Sequence, residues 1–361
     1  MKIITVNLKE RSYNIVICNN MLKSLCGYIQ QLNIGESAYI ITNNTIKNIY
    51  GNILDKILSR SRFNLKFKTI PDSEKSKSLK MVFSIIEDLA EYSKNKRVFI
   101  IAFGGGVIGD IAGFTASIYK RGIPYIQIPT TLLAQIDSSI GGKTAVDLKQ
   151  GKNLVGAFYQ PELVYSDINF LNSLNLKQIK SGLSEVIKYA LIKDPLMFKY
   201  IEKNYPAILA KNNNALEFII SRSCKIKAGI VQRDEKEKKG IRTILNFGHT
   251  IGHAIETAGG YKRYNHGEAI AIGMLAASEI SLILGLINNS LLRRIEELIQ
   301  KTGLPAKINN LSIEKIIEAH YLDKKFTGSE NKFVLIEGVG KTRIEKNIPL
   351  KVIKEALKRR S

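Results

Sequence analysis

The sequence is poor in cysteine, histidine and acidic residues, and it has no long apolar run. Its three cysteines, Cys18, Cys26 and Cys224, are too few and too scattered for a disulfide framework or a zinc ribbon, so they read as reduced thiols. No apolar segment approaches the ~20 residues that span a bilayer, and no membrane partner is expected. The opening MKIITVNL is strand-like and lacks the features of a signal or transit peptide, which points to a cytoplasmic location. No internal repeat or low-complexity segment interrupts the chain. Acidic residues number 32 against 54 Lys and Arg, a formal net charge of +22. That excess suits contact with phosphates, either of nucleic acid or of an anionic small substrate. The lysines are spread over the whole chain and never interleave with aromatics in a nucleic-acid-binding pattern. An anionic small molecule is therefore the favoured partner, beside the plain alternative of solvated lysine-rich faces.

Only four histidines occur, and His249, His253 and His266 fall within Leu245–Glu268. His249 and His253 are four apart and share a helix face. His266 opens the next apolar segment after a loop marked by Gly259 and Gly260. Imidazole is the commonest metal ligand and the usual proton shuttle near neutral pH. A lone histidine reads as surface or core, but this clustering favours metal or proton chemistry. A metal also needs a carboxylate, and Glu185 in the helical segment Ile179–Ile192 supplies one. Lys188, three residues on, offers the simpler reading of an intrahelical ion pair. Three protein ligands and an open position describe a catalytic zinc site.

At 361 residues the chain can bury two cores. Its first part alternates strands at Ala38–Ile41, Leu65–Ile70 and Val98–Phe103 with helices at Thr45–Leu58 and Lys77–Glu91. This order predicts an α/β domain with a doubly wound, mainly parallel, Rossmann-like sheet. After Val98–Phe103 comes GGGVIGDIAG, in which Gly104, Gly106 and Gly109 satisfy G-x-G-x-x-G with a strand before and a helix after. The fingerprint follows four elements instead of opening the first βα unit. It reads as a phosphate-cradling loop in a pose unlike the standard one, with glycine-mediated packing as the alternative. Thr130 and Thr131 end the strand Tyr125–Ile128, and Lys143 follows two glycines; hydroxyls and such a corner suit a phosphate or ribose. GGKT lacks the upstream glycine of a P-loop. Lys152 and Asn153 follow, before a short strand into Asp167. Beyond Leu171 long amphipathic helices take over, one of them reaching Lys227 and Asp234. A hairpin, Lys332–Ile336 with Thr342–Glu345, and a basic helix close the chain. The texture gives domains 1–170 and 171–361, the second mainly α-helical.

DSEKSKS, FGGGVIGDIAGF, YKRGIPYIQIPTTLLAQIDSSIGGKTAVD, GKNLVGAFYQP, SGLSEVIKYALI, LNFGHTIGHAIE, HGEAIAIGM and DKKF stand in this order across nearly the whole chain. The ordered set resembles the 3-dehydroquinate synthase family. The resemblance implies an NAD-dependent, zinc- or cobalt-dependent cyclase, with its active site in the cleft between the two domains. It implies 3-deoxy-D-arabino-heptulosonate 7-phosphate as substrate, a lyase releasing phosphate, and a homodimer. Related polyol dehydrogenases and other sugar-phosphate cyclases share this logic and remain the alternative. By the same resemblance Glu185, His249 and His266 are the metal ligands and His253 the proton shuttle. Substrate contacts come from Arg121, Lys143, Asn153, Lys188, Lys227, Arg242 and Asn246, with one of Lys324 or Lys325. Nucleotide contacts come from Asp72, Ser73, Glu74, Lys75, Ser76 and Lys77, and from Gly105, Gly106, Val107, Ile108, Gly109 and Asp110. Thr130, Thr131, Asp137, Lys143, Lys152, Phe170, Leu171, Asn172 and Ser173 complete that set. Two departures stand out. Asn43 occupies a place where the family has an aspartate for the adenine ribose. The loop Asp234–Arg242 is one residue longer than the family's, which makes Glu237 its expected acidic partner.

Overall fold

Every residue of the strand Val98–Gly104 is buried, as an unbroken apolar run requires of a strand covered on both faces. Its side chains alternate between two cores: Phe99, Ile101 and Phe103 join one cluster, Ile100 and Ala102 the other. The computed structural model of the chain describes residues 1–322 and 331–361. It divides into two units, residues 1–174 with 227–236 and residues 175–226 with 237–361.

The first unit contains strands β1 (Lys2–Val6), β2 (Tyr13–Cys18), β3 (Ser37–Asn43), β4 (Asn64–Ile70), β5 (Val98–Gly104), β6 (Tyr125–Pro129), β7 (Lys143–Leu148), β8 (Gly151–Phe158) and β9 (Leu163–Asp167). β7 and β8 stand apart as an antiparallel hairpin. The other seven form one sheet in the order β1-β2-β9-β6-β5-β3-β4. Only the β1–β2 pair is antiparallel. Helices α1 (Leu25–Leu32), α2 (Asn44–Ile46), α3 (Asn52–Arg60), α4 (Leu79–Tyr92) and α5 (Gly106–Ile118) flank it. Leu25, Ile29, Leu54 and Leu58 of α1 and α3 join one core; Val82, Ile85, Ile108 and Ile111 of α4 and α5 join the other. The sheet is thus doubly wound, as expected. Two helix expectations need correction. Thr45–Leu58 is broken by a π turn at Lys47–Gly51, and the helix expected from Lys77 starts at Leu79 because the Ser78 hydroxyl caps Met81 N.

From β3 the chain steps outward to β4, then crosses back past β3 to β5, β6 and β9. The winding reverses between β3 and β5, and at such a point the carboxyl ends of the strands open a ligand crevice.

The second unit is mainly helical: α6 (Leu176–Lys193), α7 (Pro195–Leu209), most of α8 (Asn213–Arg233), α9 (His249–Ala258), α10 (His266–Ile283), α11 (Asn289–Lys301), α12 (Ile313–Leu322) and α13 (Leu350–Lys358). The hairpin β10 (Lys332–Gly338) and β11 (Lys341–Lys346) belongs to it. Against the expected division after 170, the first unit runs on to Leu174, since Phe170 and Leu171 are buried, and it regains residues 227–236. α10 is long and apolar enough by composition to cross a membrane, yet 78 % of it is buried within the fold, as befits a core helix. All three cysteines are buried, and none forms a disulfide among the described residues.

Candidate functional site

In the first unit, the expected nucleotide residues gather where the parallel strands end. Asn43 closes β3, Asp72–Lys77 follow β4, Gly105–Asp110 follow β5, Thr130 and Thr131 follow β6, and Phe170–Ser173 follow β9. No local motif marks Asp72–Lys77 or Phe170–Ser173; their signal is position at the carboxyl edge, which needs the strand order.

The glycine loop combines close packing with an uncapped helix start. A Cβ at Gly104 would lie 2.6 Å from Ile108 Cγ1, and one at Gly109 2.8 Å from Gln127 Oε1, so these two glycines permit packing. Gly105 is the N-cap of α5, and no side chain caps that helix end. Its first-turn N–H groups and positive dipole end suit an anion. A Cβ at Gly105 would fill the space in front of Thr131, 3.2 Å away, and one at Gly106 the space before Ser138 Oγ, 3.1 Å away. The buried hydroxyls of Thr130 and Ser138 have no hydrogen-bond partner among the described residues. Backbone donors, orphaned hydroxyls and a cradle that any side chain would fill together fit a dinucleotide. Ser138 escaped the sequence reading, because a serine inside DSSI carries no motif.

Beside this loop the Lys77 ammonium donates to Asp110 Oδ2 at 2.7 Å and to Asn153 Oδ1 at 2.5 Å. Burial lowers Lys77, but Asp110 and Glu74 outweigh it and hold its pKa above the ordinary value. Burial likewise lifts the Asp110 carboxyl to about 6, with Lys77 restraining the rise. Asn153 N donates to Asp147 Oδ1 at 2.7 Å, and Lys152 stands 3.9 Å from Glu74. The Asp137 carboxylate pairs with Lys227, which also donates to the Asp137 carbonyl at 2.7 Å. Lys143 is exposed at the head of β7, after Gly141 and Gly142 with φ of 96° and 70°. Arg121 is the exception. α5 carries the chain about 20 Å back along the sheet, so Arg121 sits before β6, at the opposite edge from Gly105.

In the second unit, glycines set the expected metal residues in place. α9 and α10 cross so closely that a Cβ at Gly273 would lie 2.1 Å from Gly248 O. A Cβ at Gly267 would lie 2.4 Å from Ser181 Cα, which brings α10 equally hard against α6. Gly248, at φ 79°, turns the chain into α9 so that His249 is its first residue. His266 is likewise first in α10, behind a capping box of Asn265 and Glu268. Both imidazoles therefore face Glu185, midway along α6. Its Oε1 lies 3.5 Å from His249 Nε2 and 3.3 Å from His266 Nε2. One ligand atom from each residue lies within 4.8 Å of the others.

The fully buried Glu185 carboxylate touches the Lys188 ammonium, but neither oxygen has a well-formed hydrogen bond. A buried carboxylate facing two imidazoles is the donor set of a divalent zinc-like ion. The outer contacts agree: His249 Nδ1 meets Phe247 O at 3.2 Å, and His266 Nδ1 meets Glu256 Oε2 at 3.5 Å. Such contacts fix the ring so that Nε2 is the nitrogen turned toward Glu185. Burial raises the Glu185 carboxyl, but Lys188 and His266 outweigh it and hold it well below the usual range. Burial lowers His266, but Glu185 and Glu256 outweigh it and push it up to about 10. With 31 % of the side chain exposed, solvent screens part of that rise. A metal must therefore displace a proton from His266.

Arg242 is buried and Asn246 half-buried, both on the 3₁₀ segment Ile241–Asn246 just before His249. In the charged loop Asp234–Arg242, Glu235 belongs to the first unit and forms a bidentate pair with Arg11, at 3.0 and 2.9 Å. Glu237 belongs to the second and adopts φ 57°. Lys324 and Lys325 lie outside the described residues.

Models of the 3-dehydroquinate synthase N-terminal and C-terminal regions match residues 67–181 and 182–326. The 3-dehydroquinate synthase of Thermoanaerobacter pseudethanolicus is 47 % identical over 98 % of this chain and 100 % of its own. That of Dictyoglomus turgidum is 43 % identical over 99 % and 98 %. Among solved structures, 2-deoxy-scyllo-inosose synthase with carbaglucose-6-phosphate, NAD+ and Co2+ superposes with a TM-score of 0.90 at 28 % identity, covering both chains fully. The 2-epi-5-epi-valiolone synthase of Streptomyces hygroscopicus with NAD+ and Zn2+ gives 0.88 at 26 % identity, over 98 % of each. With family models in tandem over most of its length and full-length relatives above 40 % identity, the chain belongs to the 3-dehydroquinate synthase family.

Proposed function

We propose that this chain converts 3-deoxy-D-arabino-heptulosonate 7-phosphate into 3-dehydroquinate and phosphate, in the shikimate route to aromatic amino acids. The observation that carries the reading is the Glu185–His249–His266 triangle, in a chain whose full-length relatives at 41–47 % identity are 3-dehydroquinate synthases. The conversion runs through transient oxidation, phosphate elimination, reduction, ring opening and intramolecular aldol closure. When bound, the divalent metal supplies Lewis acidity toward substrate oxygens, and NAD supplies a hydride acceptor that returns what it takes.

Glu185, His249 and His266 hold the metal, zinc or cobalt. In the second unit Lys188, Arg242 and Asn246 bind and orient the anionic substrate, with Glu237 as the acidic group of its loop. His253, one helical turn from His249, carries protons. In the first unit Lys143, Asn153 and Lys227 hold further anionic or hydroxyl groups. Lys77 accounts for Asn153's orientation: it engages Oδ1, which leaves the amide N–H₂ to donate. The uncapped start of α5 takes the dinucleotide phosphates, and Thr130, Thr131, Asp137 and Lys152 line the same edge. Arg121, at the opposite edge of the sheet, can join such a site only from a second copy, which favours a homodimer. Neither nucleic acid nor a membrane surface has a part in this cytoplasmic chemistry.

The experiment follows free phosphate and NADH together, with the heptulosonate phosphate, catalytic NAD+ and zinc. Phosphate release many-fold above the NAD+ supplied is expected, with NADH near zero. A polyol dehydrogenase would accumulate NADH in proportion to product. Stoichiometric NADH without phosphate, or no turnover, sinks the synthase reading.

A smaller prediction concerns Asn43. Its Oδ1 already accepts from Ile46 N at 2.8 Å as the N-cap of α2. Asn43→Asp keeps that cap with one oxygen and offers the other, charged, to a ribose hydroxyl. NAD should bind about fivefold more tightly, worth roughly 1 kcal/mol. NADP should be disfavoured further, since a carboxylate repels a 2′-phosphate. Unchanged NAD affinity by titration means that residue 43 does not face the ribose.

A further inference from the structure

We infer that His253, Glu256 and the Nδ1 side of His266 form a second divalent-cation site, weaker than the first and inhibitory when filled. Each residue offers a ligand atom, and these atoms lie within 4.8 Å of one another. His253 and Glu256 are three apart on α9 and so share a face. His266 presents its two nitrogens to two different groups: Nε2 stands 3.3 Å from Glu185 Oε1, and Nδ1 stands 3.5 Å from Glu256 Oε2. One imidazole thus stands between two donor clusters. The second cluster, two imidazoles and a largely buried carboxylate, suits the same borderline cations as the first.

The order of filling follows from the shared ring. The first ion takes Nε2, the nitrogen facing Glu185. A second ion at Nδ1 must share the ring with the first ion and meets the repulsion of its charge across one imidazole. Its affinity is therefore lower. It also engages His253; the inhibition, though not the binding, rests on the proton-carrying role proposed above.

The test is a zinc titration of the chelator-stripped full-length chain, with bound metal and turnover read together. A tight equivalent should raise turnover, and a weaker second one should lower it. Glu256→Gln, whose amide oxygen can still accept from His266, should lose the second equivalent and keep the first. Glu185→Ala should lose the first and keep the second. Failure of any weak equivalent to appear in large zinc excess overturns the inference, as does a weak equivalent that survives Glu256→Gln. Absence of the tight equivalent would overturn the cofactor assignment instead, while the weak equivalent still decides this proposal.

Discussion

His249→Ala and Glu185→Ala are expected to lose the metal and to lower turnover alike, on the order of 10³-fold, but only Glu185→Ala should also cost the fold about 3–5 kcal/mol. The shared loss follows from the triangle: two ligands hold a catalytic ion poorly, and Lewis acidity is worth several kcal/mol of barrier, or about tenfold per 1.4 kcal/mol. The difference follows from burial. Glu185 and Lys188 are both almost wholly inaccessible and in direct contact. Removing the carboxylate strands an ammonium in the core, whereas removing His249 leaves the pair intact. Unfolding should be measured in chelator, so that bound metal does not add its own stabilisation. The sign with pH is fixed as well. A carboxyl held below its ordinary range contributes above that range and loses its contribution only as pH falls toward about 2. The stability gap between the variants should therefore persist throughout the neutral range. Metal retained by His249→Ala, or equal stability losses in both variants, would contradict the assignment.

Gly273→Ala should be the most damaging single methyl group in the second unit. The added Cβ would stand 2.1 Å from Gly248 O and 2.8 Å from Gly252 N, both backbone atoms that cannot rotate away. α9 and α10 must then separate, and overpacking of this kind costs about 1–3 kcal/mol or more. The same displacement moves His249 away from His266, so zinc affinity should fall by at least about tenfold, as weaker outer-shell losses already do. Gly229→Ala is the control. It lies inside α8 with nothing within 4 Å of the new Cβ, and should gain roughly 1 kcal/mol from helix propensity. Unaltered zinc binding in Gly273→Ala would show that the helix pair tolerates the shift.

The parts legible in the sequence were those with a local cause. β5 announces itself because a strand covered on both faces must be apolar throughout, and the glycine loop because the chain turns sharply into α5 directly after it. Glu185 and the histidines were visible because imidazole is scarce in this chain and a helix repeats every three to four residues. The β7–β8 hairpin was not, since β8 is mostly exposed or half-exposed and carries Lys152 and Asn153 with no apolar alternation. The pairing of Lys77 with Asp110 and Asn153, the orphaned Ser138 hydroxyl and the approach of Glu256 to His266 exist only once distant segments meet. The division into units was hidden for a further reason: residues 227–236 return to the first unit from the end of a helix otherwise counted with the second.

That return constrains how the chain can be made. β2 pairs with β9, yet Cys18 and Leu163 are about 145 residues apart. At roughly 5–20 residues per second of synthesis, the β1–β2 hairpin waits on the order of ten seconds for its neighbour. During that interval Ile15, Val16 and Ile17, all buried in the finished fold, have no sheet to shelter them. The wait continues beyond β9. Gln232 donates to Thr5 O at 2.9 Å on the edge strand β1, and Glu235 clamps Arg11, so the last contacts of the first unit come from residues translated after α6 and α7. A ribosome that stalls between residues 174 and 236 therefore releases a nearly complete nucleotide-binding sheet with an unguarded edge, the form most prone to pair with another copy of itself.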